Sequence, residues 1–242
     1  MQCVILAGGL GTRMKAFTET LPKSLLPVGS HPFLKYQLDW LANNGVTHVI
    51  MCLGYKGQMI RDYAGDGSAW NLSIQYTDES DQLLGTGGAL RLAFDQGYLE
   101  PNFQVIYGDS YLPVDLKKIW HRFSQRTEAA LMTVIRNNDQ WDKSNACFDG
   151  EKVPLYDKTL GSEKPKSMEF IDYGLSVFRR LTIEREIPSR QRVDLADVLH
   201  RLSVAGDLAG FEIHRRFFEI GSPAGLSDFK QYIDKTLKGE KS

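Results

Sequence analysis

The chain has 242 residues, with 29 Lys and Arg against 30 Asp and Glu, a formal charge of −1. That balance argues against a nucleic-acid binder, which carries a basic excess, but leaves room for a small phosphorylated ligand held by a few placed cations. With 12 Phe, 10 Tyr and 4 Trp the chain is not disordered, and no apolar run nears the ~18 residues that a membrane span needs. In chain order, a buried strand is predicted over 2–7, closed by Gly8-Gly9. Residues 32–44 place Leu34, Leu38 and Leu41 at i, i+4 and i+7 between Pro32 and Gly45, an amphipathic helix. Next come a strand at 47–53, a helix at 56–63, a strand at 73–77 and a helix at 87–94. A strand at 103–107 then ends at Gly108-Asp109-Ser110, followed by a helix at 115–125 capped by Asp115 and a strand at 129–135. This alternation predicts a parallel-rich sheet with right-handed crossovers.

The second half reads differently. Asp149-Gly150 is a hairpin signal, 170–178 alternates as a strand and 194–205 is a helix. Short strands are predicted at 211–214 and 217–220. A closing helix at 222–237 carries Leu226, Phe229, Ile233 and Leu237. Residues 137–169 are the most irregular and read as a lid-like, substrate-side segment. The expected architecture is α/β: a Rossmann-like, mixed but mainly parallel sheet flanked by helices, a three-layer sandwich forming one domain over 1–242. Cys3, Cys52 and Cys147 are scattered and form no CxxC pair, and 4–8 is too short for a signal-peptide core. A cytoplasmic protein is expected.

The chemistry concentrates near the N-terminus. Leu6-Ala7-Gly8-Gly9-Leu10-Gly11-Thr12-Arg13-Met14 takes a strand into a glycine loop, then a hydroxyl and a cation. Glycine lets backbone approach a phosphate closely, successive N–H groups can form an anion-binding nest, and a guanidinium adds a bidentate fork. By itself such a loop is also what a plain tight turn looks like. It is not the dinucleotide fingerprint, which needs Gly where Met14 stands, nor a P-loop, because Lys23-Ser24 follows Pro22 rather than Gly. Pro22-Lys23-Ser24-Leu25-Leu26-Pro27 follows, with two prolines stiffening the segment that carries Lys23.

The joint pattern GGxGTRM and PKxLLPV resembles the signature of the sugar-1-phosphate nucleotidyltransferases, which join a nucleoside triphosphate to a sugar phosphate and release pyrophosphate. The resemblance continues in the family's order over nearly the whole chain. Leu84-Gly85-Thr86-Gly87-Gly88-Ala89 resembles the segment beside the base and ribose. Tyr107-Gly108-Asp109 resembles the metal-binding aspartate, Tyr173-Gly174-Leu175 the sugar-pocket segment, and Phe218-Glu219-Ile220-Gly221-Ser222-Pro223 the second metal site. The resemblance implies a nucleotide-binding half at 1–136 and a sugar-phosphate-binding half at 137–242. It implies catalytic roles for Arg13 and Lys23, and nucleotide contacts from Leu6, Ala7, Gly8, Gly9, Gly11, Thr12, Arg13, Gln82 and Gly87. Mg²⁺ would be held by Asp109 and Glu219, and the sugar phosphate by Asp157, Lys158 and Gly174.

Two departures stand out. The second metal position is Glu219 where the family usually has Asp, one methylene longer. The family's Glu-Lys pair has two candidates, Asp157-Lys158 and Glu163-Lys164. The first is preferred because Asp149-Gly150, Val153 and Leu155 supply the hairpin that leads into it; the second matches the letters better. The expected partners are a nucleoside triphosphate and a sugar 1-phosphate, with neither nucleic acid nor membrane, and a homo-oligomer stays open. A second reading, resting on Glu219, is a catalytically weak nucleotide-sugar-binding regulatory protein. The identity of the base, at edges near Ala7, Gln82 and Gly87, and that of the sugar are open in the sequence.

Overall fold

The computed structural model describes residues 1–9, 14, 18–79, 83–140, 142–237 and 239. Strand β1 (Gln2–Ala7) is followed by a hairpin of β2 (Pro27–Val28) and β3 (His31–Pro32), then helix α1 (Phe33–Asn43), β4 (His48–Leu53), α2 (Gly57–Ala64), β5 (Ser73–Asp78) and α3 (Gly85–Asp95). Next come β6 (Asn102–Tyr107), β7 (Ser110–Tyr111), α4 (Leu116–Ser124), β8 (Ala130–Arg136), β9 (Ala146–Cys147) and β10 (Leu155–Tyr156). The chain ends with β11 (Phe170–Arg179), α5 (Arg180–Glu186), α6 (Leu195–Val204), β12 (Leu208–Glu212), β13 (Phe218–Glu219) and α7 (Pro223–Leu237).

Among the described residues the main sheet runs β10-β9-β11-β6-β1-β4-β5, with β8 pairing β11 and carrying β12. The β1, β4, β5 and β6 strands are mutually parallel, whereas β11 is antiparallel to β6. This is the mixed, mainly parallel sheet that the alternating pattern predicts. Parallel strands need cover on both faces, and β1 shows how it is met. Cys3 and Ile5 enter one core with Leu34, Leu38 and Leu41 of α1 and Ile119 and Phe123 of α4. Val4 and Leu6 enter the opposite core with Leu90 of α3, Ile183 of α5 and Val198 and Leu202 of α6. Helix, sheet and helix therefore form three layers. Each fully buried Leu or Ile contributes about 2 kcal/mol of transfer free energy to the assembly. A third core joins the chain ends, where Phe229 and Ile233 of α7 pack on Phe33, Leu26 and Val28.

Local chemistry sets the helix starts. Asp115 accepts from Lys117 N and Lys118 N, and Asp194 accepts from Ala196 N. Several elements differ from the sequence expectation, among them the β2–β3 hairpin and β7, which it did not contain. The α5 helix was not foreseen because it follows β11 without a break, and Arg179, its cap residue, offers no side-chain acceptor. The strand expected at 211–214 begins three residues earlier, at Leu208, because Leu208, Ala209 and Gly210 are the buried members and their small side chains hide the strand pattern. The Asp149-Gly150 signal lies in the link between β9 and β10, which pair antiparallel.

Candidate active site

The parallel strands β1, β5 and β6 all end at one rim, where open α/β sheets bind ligands. A cavity of about 400 Å³ opens there. Its wall is built from the strand ends: Leu6 and Ala7 of β1 with Gly8 and Gly9, Glu79 just past β5, and Tyr107, Gly108 and Asp109 at the end of β6. Lys23 arrives on a single 3₁₀ turn, Lys23–Leu25, between Pro22 and Leu26, and also lines the cavity. Glycine at position 8 leaves room for Glu79: an added Cβ would lie 3.0 Å from Glu79 Oε1, a tight contact that would press on that carboxylate. Lys23 Nζ donates to Asp109 Oδ2 at 2.9 Å.

Glu79 is the unforeseen member. It is only 6% exposed, and its Oε2 accepts the Leu84 N–H at 2.8 Å. Burial pushes its carboxyl above the ordinary glutamate value and the nearby Asp78 adds to the rise, while the Leu84 bond opposes it. A carboxylate straight after a parallel strand occupies the same kind of position as Asp109, and that signal was available in the sequence. Arg192 also lines this cavity, on the segment before α6, and nothing in its sequence context pointed to it.

A second cavity, about 800 Å³, lies beside the first. Asp157, Lys158 and Gly174 line it, as do Asn145, Asp172, Arg216 and Glu219. Gly174 sits at φ +93°, where β11 shifts its register against β8 between Asp172 and Ser176. Only glycine holds that conformation without strain, and its N–H donates to Asp172 Oδ1 at 2.9 Å. Asp172 Oδ2 accepts from Tyr156 Oη at 3.3 Å. Asp157 is fixed by Thr159, whose hydroxyl and backbone N–H both donate to Oδ1, and these bonds hold its carboxyl below the usual range. Lys164 instead pairs with Asp139 and does not line the cavity.

Tyr107 lines both cavities. Its burial raises the phenol well above its normal value, and the charges of Asp172, Asp194, Asp109 and Glu219 push the same way. It stays protonated, a neutral wall among four carboxylates. Asp109 lines the first cavity and Glu219 the second. The two are joined through backbone: Glu219 of β13 is opposite Ser110 of β7, and Ile220 N donates to Asp109 O at 2.9 Å. No cluster of three or more His, Cys, Asp and Glu occurs among the described residues. Carboxylates are what a hard divalent cation takes beside waters and phosphate oxygens, so Asp109, just before β7, and Glu219 of β13 are the residues that would hold one.

The structure therefore brings Leu6, Ala7, Gly8, Gly9, Lys23 and Asp109 to one cavity and Asp157, Lys158, Gly174 and Glu219 to its neighbour. Gly11, Thr12, Arg13 and Gln82 lie outside the described residues. Gly87 is not brought to the cavity. Its N–H donates to Val193 O at 2.9 Å, so the start of α3 is stitched to the segment before α6, and Gly85 and Thr86 line the cavity in its place. No helix among the described residues is long and apolar enough to cross a membrane.

Comparison with known proteins gives the same picture. The family model for nucleotidyl transferases matches residues 2–233. D-glycero-alpha-D-manno-heptose 1-phosphate guanylyltransferase of Aneurinibacillus thermoaerophilus is 30% identical over 225 residues, covering 92% of this chain and 94% of that protein. Mannose-1-phosphate guanylyltransferase of Mycobacterium tuberculosis is 31% identical over 229 residues, which are 92% of this chain but only 62% of the relative. Among solved structures, a putative glucose-1-phosphate thymidylyltransferase from Bacillus anthracis superposes with a TM-score of 0.83 at 22% identity, covering 96% of this chain and 94% of that one, and shows the shared fold. HddC from Yersinia pseudotuberculosis complexed with GMP-PN superposes with a TM-score of 0.76 at 25% identity, covering 96% and 99%. With the strand-end cavity, its lysine and its aspartate in place, the chain belongs to the sugar-1-phosphate nucleotidyltransferase family.

Proposed function

We propose that the chain is a guanylyltransferase, joining GTP to a heptose 1-phosphate with Mg²⁺ and releasing pyrophosphate. The observation that carries the choice of base is Glu79. An ionised carboxylate is acceptor-only. Guanine presents two adjacent donors, N1–H and the N2 amine, to such a group. Uracil and thymine flank their single N–H with carbonyl oxygens, and cytosine and adenine set an acceptor beside their amine. A carboxylate in the base pocket therefore attracts guanine and repels the others. The heptose assignment is supported by the Aneurinibacillus relative, matched end to end.

In the reaction an oxygen of the sugar 1-phosphate attacks the α-phosphorus of GTP. An O–P bond forms there, the bond to the β-phosphate oxygen breaks, and pyrophosphate leaves in line. Both reactants are anions, so electrostatics dominates the barrier. Lys23 faces the α-phosphate, where charge builds. The N–H groups of the Gly8-Gly9 turn, continued by Gly11, Thr12 and Arg13, hold the phosphates that leave. Lys158 holds the sugar phosphate, and Asp172 accepts hydroxyl protons of the sugar. Asp109 and Glu219 hold the Mg²⁺, which when bound neutralises charge on the reacting phosphates. The chain's own contribution is alignment of two anions across the Tyr107 wall.

The test is a matrix of GTP, UTP, dTTP, CTP and ATP against heptose, mannose and glucose 1-phosphates, scored by pyrophosphate release with and without EDTA. GTP with heptose 1-phosphate should lead, and Mg²⁺ should restore the chelated enzyme. A different leading nucleotide would overturn the reading of Glu79. Nucleotide-sugar binding with no pyrophosphate from any pair would favour the regulatory alternative.

A further inference from the structure

We propose that Gln37 is a positioning residue for the cation-binding carboxylate, although it touches no substrate. The inference rests on the reading of Asp109 as a cation ligand given above. Gln37 lies on the buried face of α1 between Leu34 and Leu38 and has no exposed surface. A primary amide in the middle of a leucine face costs free energy unless it is bonded. Its Nε2 donates twice, to Tyr107 O at 2.9 Å and to Ser110 O at 2.8 Å. Both acceptors are carbonyls, so the amide orientation follows from its partners.

Those carbonyls flank Gly108-Asp109. Beyond Tyr107 the β6 strand leaves its β1 neighbour, and Tyr107 O and Ser110 O would be left to find partners as the chain turns. The Gln37 amide bridges them across the turn. On its other sides the turn is held by Gly108 N donating to Leu6 O and Ile220 N donating to Asp109 O, both at 2.9 Å. Four backbone groups around Asp109 are thus bonded, and its carboxylate lies within 2.9 Å of Lys23 Nζ. Of these contacts only the Gln37 pair comes from a side chain, so only it can be removed by substitution without altering the strands.

The experiment measures Mn²⁺ binding by electron paramagnetic resonance, with GMP-PN present and no turnover, in wild type, Gln37→Met, Gln37→Asn, Asp109→Asn and Leu41→Ala. Met fills the volume but donates nothing; Asn keeps an amide too short to span both carbonyls. Leu41, on the same buried helix, controls for loss of stability. Partners that orient a metal ligand typically carry about 10- to 100-fold in affinity. Both Gln37 variants, folded by circular dichroism, should weaken Mn²⁺ about tenfold or more and lower kcat far more than they raise the KM for GTP. Leu41→Ala should bind Mn²⁺ as wild type does. If Asp109→Asn weakens Mn²⁺ but the Gln37 variants stay within twofold, the positioning role is overturned and the reading of Asp109 stands. If Asp109→Asn leaves Mn²⁺ binding unchanged, the reading of Asp109 falls and the proposal falls with it. Equal loss in Leu41→Ala would reduce Gln37 to a packing residue and overturn the proposal. Should Gln37→Met fail to fold, Gln37→Asn alone carries the comparison.

Discussion

Lys23 Nζ lies 2.9 Å from Asp109 Oδ2, with the two side chains 19% and 27% exposed, so the carboxylate proposed to hold the cation is paired with an ammonium. An α-phosphate competes with the carboxylate for the N–H donors of this ammonium. An incoming nucleotide gives Lys23 a new anion, which frees Asp109 for the divalent ion, so binding of nucleotide and metal should reinforce each other.

This competition makes a counter-intuitive prediction for Lys23→Ala. Without nucleotide the variant should bind Mn²⁺ several-fold more tightly, because a partly buried ion pair worth about 1 kcal/mol no longer has to be broken. Turnover should nevertheless fall by roughly 10²-fold or more through loss of transition-state charge stabilisation. Metal titration of the free protein and a pyrophosphate assay read the two effects separately. Unchanged Mn²⁺ affinity would show that the pair does not oppose metal binding.

Glu79→Gln should change the choice of nucleotide. A bidentate contact of this type discriminates by about 1–3 kcal/mol, so the preference for GTP over UTP should shrink by about 10- to 100-fold. Gln keeps an acceptor for Leu84 N–H, so the fold should survive. The pH dependence follows from the raised carboxyl. As pH falls through that value the group gains a proton and loses its ability to accept from guanine, so the KM for GTP should climb in acid. In Glu79→Gln this climb should vanish. For stability the sign is opposite: a raised acid contributes most below the unfolded value near 4.5 and loses that contribution as pH rises through the folded value. The variant should therefore melt no lower than wild type at pH 8.

The two candidate lysines should separate cleanly. Lys158 lines the second cavity, whereas Lys164 is paired with Asp139 and does not line it. Lys158→Ala should raise the KM for the sugar phosphate at least tenfold with little change for GTP. Lys164→Ala should leave both near wild type. The reverse outcome would restore the Glu163-Lys164 pair to the sugar phosphate.

What the sequence disclosed follows from what each residue does locally. Gly8 and Asp109 stand at the ends of apolar runs, so a strand and the turn after it were visible together. Asp115 precedes helical periodicity and caps as expected, and Asp194 does the same for α6. Glu79 and Gln37 were harder to see because their roles are tertiary. Glu79 acquires its role when β5 is laid beside β4 and β1, and Gln37 when α1 packs under the end of β6. Gly87 shows the same limit: a helix-start N–H suits an anion, but Val193, more than 100 residues later, supplies its acceptor in the fold. Periodicity reports the faces of elements; it does not report which carbonyl another segment brings to them.

The sharpest pH effect on stability should come from outside the site. Glu128 is 7% exposed and is bonded by Arg126 through both carboxylate oxygens, at 2.7 and 3.1 Å, with Lys152 3.3 Å away. Burial alone would raise its carboxyl, but the Arg126 bonds, assisted by Lys152, outweigh it and bring the value down to about 2 from 4.5. A depressed acid contributes stability above its unfolded value and loses it as pH falls through the folded one. The stabilisation, at most roughly 3 kcal/mol before screening, should therefore be full at pH 6 and disappear between about pH 4.5 and 2. Replacing Glu128 with Gln keeps its size but cannot be deprotonated. The variant should melt several degrees lower than wild type at pH 6, and the gap should shrink by about half as the buffer is taken to pH 3. Urea midpoints across that range measure it directly. A gap that stays constant from pH 6 to 3 would mean that the cost of the substitution lies in lost hydrogen-bond geometry rather than in the charge.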